Sequence, residues 1–106
     1  MKKIYWQGDV GFEPIKEIPK NAIEKNLTVA LGEITGHHHT FREGTAQVLI
    51  EQEQQFVRVI EKQAILEHQE HDLISLPQKN YLGTNTYKVV RQRVFNTLKG
   101  IRQVMD

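Results

Sequence analysis

The sequence predicts a mainly β fold, a small barrel or sandwich, and three observations carry that expectation. Short segments alternate apolar and polar residues with the period of two that a half-buried strand requires. Turn-forming residues separate these segments at the close spacing of all-β domains. A helix is suggested at most for the last eleven residues, where Leu98, Ile101 and Met105 stand at helical spacing. With 106 residues, the chain has the size of one domain spanning 1–106 and of no more than one.

Lys3–Gln7 reads as an opening strand that stops at the turn pair Gly8-Asp9. Val10–Ile18 reads as a second strand, which Pro14 confines to an edge or a bend because proline cannot donate to the ladder. Pro19-Lys20-Asn21 marks a turn. Ala22–Asn26 is too short for a helix, and Leu27–Ile34 has the apolar run of a buried strand. Thr45–Ile50 and Gln55–Ile60 form a hairpin around the polar tip Glu51–Gln54. On its second arm Phe56, Arg58 and Ile60 share one face, and Val57 and Val59 the other. Ala64–Glu67 and Leu73–Leu76 are two short strands around the loop His68–Asp72. A loop from Gln78 to Thr86 precedes a last strand, Tyr87–Phe95. Leu98, Ile101 and Met105, after Asn96 as a candidate N-cap, make a short C-terminal helix an optional addition that Gly100 weakens.

Composition narrows the function classes. Cysteine is absent, which excludes disulfides and thiolate metal sites and suits a reducing, cytoplasmic location. The N-terminus has two lysines with no apolar stretch behind them, so no signal peptide is expected, and no apolar run could span a bilayer. The net charge of +1 conceals segregation: residues 43–72 carry seven acids against Arg58 and Lys62, whereas 73–105 carry six bases and no acid. Either acidic and basic strands pair across a sheet, the favoured expectation, or Lys88, Arg91, Arg93, Lys99 and Arg102 form a nucleic-acid contact face. The near-neutral total argues against a dedicated DNA binder.

Histidine carries the most specific signal. All five lie in two clusters, His37-His38-His39 and His68 with His71. Residues i and i+2 of a strand project from one face, so His37 and His39 could reach a common ion. Convergence with His68 and His71 would supply four imidazoles, a donor set that suits Zn or another divalent transition metal. Glu43 and Glu70 are candidate additional ligands or supporting groups. The competing reading is a polar loop network with no ion. No phosphate loop is present, Ser75 is the only serine and sits in an apolar strand, and no catalytic residue can be named. The sequence therefore leans away from an enzyme. A protein partner or a second copy of the chain is an expected alternative to a metal-binding role.

Two resemblances bear on the histidines. The spacing His37-x-His39-x3-Glu43 resembles the first metal motif of the cupins, which implies those three residues as ligands. The second cupin motif has no counterpart, since Pro77 lacks a glycine two residues later and no histidine follows His71. A broader resemblance runs through Gln7-Gly8-Asp9-Val10, then Gly32-Glu33-Ile34-Thr35-Gly36-His37-x-His39, then His68-x-Glu70-His71 with Leu76-Pro77, then Tyr87-x-Val89-x-x-Gln92-Arg93. In this the chain looks like a family of small uncharacterised proteins found in bacteriophages and bacterial genomes. The likeness implies roles for His37, His39, His68, Glu70 and His71, makes His38 incidental, and implies no activity. Two departures stand out: a longer loop after Leu76-Pro77, and Val94-Phe95 where the family has Glu-Tyr.

Overall fold

The computed structural model describes residues 3–29 and 38–92, and all of its regular structure is β. Nine strands are formed: β1 Tyr5–Gln7, β2 Val10–Ile15, β3 Ile23–Lys25, β4 Thr40–Phe41, β5 Ala46–Glu51, β6 Gln54–Val59, β7 Gln63–Glu67, β8 Ile74–Pro77 and β9 Thr86–Arg91. They make a six-stranded sheet in the order β1-β2-β9-β6-β5-β3 and a three-stranded sheet in the order β4-β7-β8, every pair antiparallel. Among the described residues the outer strands β1 and β3 do not pair with each other, so the two sheets form a sandwich and not a closed barrel. No helix among these residues is long and apolar enough to cross a membrane.

The core follows the period of two. Val48 and Ala46 on β5, Val57 and Val59 on β6, Tyr87 and Val89 on β9, and Val10 and Phe12 on β2 are buried from the larger sheet. Phe41, Ala64, Leu66 and Leu76 meet them from the smaller one. The rings of Phe12 and Phe41 touch edge to face between the sheets, 5.5 Å apart. A fully buried leucine such as Leu66 stabilises the fold by about 1.5–3 kcal/mol relative to exposure. The Tyr87 hydroxyl donates to Pro77 O at 2.6 Å, tying β9 of one sheet to the end of β8 in the other.

Local chemistry explains the departures from expectation. Pro14 lies inside the sheet order, yet β1 stops opposite Phe12, so proline faces no missing ladder partner there. Ala22–Asn26 supplies the short edge strand β3, whose Ile23 is exposed. The hairpin turns on two residues, Gln52 and Glu53, both at positive φ (53° and 66°) as a type I′ turn requires. Basic β9 does lie beside β6 of the acidic stretch, but its charges meet acids from the N-terminus: Arg91 bonds Asp9 at 3.2 Å, and Lys88 sits opposite Glu13. The expected run to Ile34 is described only as far as Val29, and the expected C-terminal helix lies outside the described residues.

Candidate functional site

The site grows from the register of a very short strand pair. Thr40 faces Glu67 and Phe41 faces Leu66, so continuing the pairing by one residue sets His39 opposite His68. His39 is 4% exposed; its carbonyl accepts from Val29 N at 2.8 Å, which fixes its backbone. His71 comes in from the loop after β7 and packs against the hairpin turn between β1 and β2. Gly8 makes that approach feasible: its φ is +63°, and a Cβ there would stand 2.6 Å from His71 Nε2.

Three imidazoles consequently gather. The ring centroids of His39 and His68 are 4.3 Å apart, those of His68 and His71 4.5 Å, and those of His39 and His71 6.1 Å. Beneath them lies Gln7, a polar side chain only 2% exposed. Its amide nitrogen donates to Leu66 O at 3.0 Å and to Asp72 O at 2.9 Å, and its oxygen accepts from His39 Nδ1–H at 2.8 Å. His68, Glu67, His71, Asp72 and Leu73 line an open depression of about 650 Å³ beside the cluster.

Electrostatics keep the buried member neutral. His39 is pushed down to about 4, first by burial and then by the neighbouring His68. Asp9 opposes the shift, whereas His71 and Arg91 add to it. At neutral pH the His39 ring therefore carries one proton and one lone pair. His68 is held differently, its Nδ1 accepting from Glu70 N–H at 2.9 Å.

Of the sequence candidates, His39, His68 and His71 come together, while His37 lies outside the described residues. His38 is exposed, and its backbone N–H donates to Gln69 Oε1 at 3.0 Å. Glu70 is at the cluster through its backbone. Glu43 is elsewhere, a correction to the cupin-like spacing. The strand ends at Phe41, the chain turns through Gly44 at φ +87°, and Glu43 lines a second depression with Arg42, Glu61 and Lys62. Among the nucleic-acid candidates Arg91 pairs with Asp9 and Lys88 faces Glu13, and Arg93, Lys99 and Arg102 lie outside the described residues. Sequence reasoning missed Gln7 as a site residue. The available signal was its position two residues after Tyr5, on the inward face of a strand.

Chemically, three imidazole donors suit a borderline metal ion. Imidazoles bound to one tetrahedral ion through Zn–N bonds of about 2.0–2.1 Å would hold their ring centroids about 5 Å apart. The separations found, 4.3–6.1 Å, bracket that value. The donor atoms themselves are not converged: among the described residues, no three His, Asp or Glu side chains stand as they would around an ion.

No curated protein matches the chain, and no solved structure does. A family model matches residues 6–92, a span that includes Gln7, the imidazole cluster and Arg91. The chain belongs to that family, Domain of unknown function (DUF8820).

Proposed function

We propose that this protein binds a divalent transition metal ion, with zinc as the reference case, through His39, His68 and His71. The approach of three imidazoles within 4.3–6.1 Å, from two distant stretches of chain, is the observation that supports the reading. His37 is a candidate fourth ligand by its spacing from His39. Ligation at His68 requires an exchange. Whichever ring nitrogen binds the ion, the bond that Nδ1 accepts from Glu70 N–H must be released or the ring deprotonated. Release of that bond would entail a local movement of residues 68–70 on binding.

The second reading is an ion-free network that orders two loops of an interaction or assembly module. The same His68–Glu70 bond favours it, since it satisfies the ring without an ion. Titration calorimetry with Zn²⁺ and Ni²⁺ on protein prepared without a histidine tag separates the two. The metal reading expects saturable binding at one ion per chain. It also expects at least about tenfold weaker binding, or about 1.4 kcal/mol, in His71→Ala, and no change in His38→Ala. No binding at millimolar ion, or equal losses in both variants, refutes it.

A further inference from the structure

We infer that Gln7 is a positioning residue that assembles the three-imidazole site. The inference rests on the metal-binding reading for its purpose, and on hydrogen-bond geometry for its substance. Leu66 and Asp72 stand on either side of residues 67–71, the segment that carries His68 and His71. One amide nitrogen, Nε2 of Gln7, donates to both flanking carbonyls, at 3.0 and 2.9 Å. The oxygen of the same amide accepts from His39. A single buried side chain thus holds both ends of one imidazole-bearing segment and the ring of the third imidazole.

The arrangement also selects a tautomer. Both amide hydrogens of Gln7 are committed to carbonyls that can only accept, so the amide cannot be turned over without facing oxygen against oxygen. Oε1 is then the atom that meets His39, and it can only accept, so Nδ1 of His39 must carry the proton. The lone pair of the neutral ring is left on Nε2. That is the state in which an imidazole ligates through Nε2 while its other nitrogen donates to a supporting group. A carboxylate at position 7 would preserve the acceptor for His39 but lose both donated bonds. A residue of similar length without polar atoms would lose all three.

The test reads the tautomer directly, in ion-free full-length protein labelled with ¹⁵N. Long-range ¹H–¹⁵N correlation of His39 should show a protonated Nδ1 and an unprotonated Nε2 near neutral pH. Gln7→Met should move His39 to a tautomer mixture, and Gln7→Glu should retain Nδ1–H because it retains the acceptor. Zn²⁺ affinity should fall about 10–100-fold in Gln7→Met. A core variant, Leu76→Ala, should leave both the tautomer and the affinity in place, although it is also destabilised. A wild-type His39 protonated at Nε2 overturns the inference whether or not any variant folds. So does a His39 tautomer that is unchanged in folded Gln7→Met. If wild type binds no ion but the spectra behave as stated, the metal reading falls and Gln7's control of His39 stands.

Discussion

The buried His39 makes stability depend on pH in a direction and by an amount that can be worked out. Its pKa in the folded protein is about 4, against about 6.5 in an unfolded chain. Between those values the unfolded state binds the extra proton, so unfolding is favoured as pH falls. The contribution of neutral His39 is fully present above about pH 6.5, is lost progressively as pH falls toward about 4, and does not change further below that. Integrating one proton over this window gives a loss of about 2 kcal/mol between pH 7 and pH 5. Other groups titrate too, so the measurement is a difference. His39→Asn places an amide N–H where Nδ1–H stood, keeping a donor for Gln7 Oε1 while removing the titration. Urea denaturation of ion-free wild type and His39→Asn at pH 7, 6 and 5 should give curves that converge by about 2 kcal/mol as pH falls, wild type losing more. Parallel curves for the two proteins would show that His39 is not held neutral by its surroundings, and the account of the site's electrostatics would fail.

Gly8→Ala should cost about 1–2 kcal/mol for the positive φ alone and should also displace His71, so the variant is expected to lose stability and Zn²⁺ affinity together. Calorimetric titration beside thermal melting reads both. Tyr87→Phe removes the donor to Pro77 O within the core and should lower unfolding free energy by about 1–2 kcal/mol in urea, with no effect on the imidazoles. Replacing Gln52-Glu53 with Asn-Gly gives the hairpin the residues that accept positive φ, and a rise of about 1 kcal/mol is expected from equilibrium denaturation. Because Arg91 is paired with Asp9 and Lys88 faces Glu13, Arg91→Ala and Lys88→Ala should leave any retardation of single-stranded DNA in a low-salt gel-shift titration unchanged.

Alternation made the large sheet legible. Val48, Val57, Val59 and the β5–β6 hairpin follow from a period of two, because one face of each strand is buried and the other is wet. Strand β3 carried no such mark, since an edge strand of three residues with an exposed isoleucine buries almost nothing to pattern. For the site, residue type was informative and placement was not. Imidazoles at positions 39, 68 and 71 were evident as a donor set, but their meeting depends on a two-residue strand, Thr40–Phe41, whose register no local pattern encodes. Glu43 was misplaced because a fixed spacing assumes a continuing strand, whereas β4 ends at Phe41 and Glu43 already lies in the turn that follows. Gln7 was visible as the opening residue of the Gln7-Gly8-Asp9-Val10 pattern and as a polar residue in a strand, but neither named its role. Its three partners lie 32 to 65 residues away in sequence.

The backbone bond from Glu70 N–H to His68 turns the loop into an internal competitor for whatever approaches that ring. A bond of this kind contributes about 0.5–1.5 kcal/mol, which raises the concentration needed for half-occupancy by roughly two- to tenfold. If the proposed site takes up an ion, the concentration at which it fills would be set in part by the main chain of residues 68–70. A change that stiffens that loop would raise that concentration without altering a single ligand.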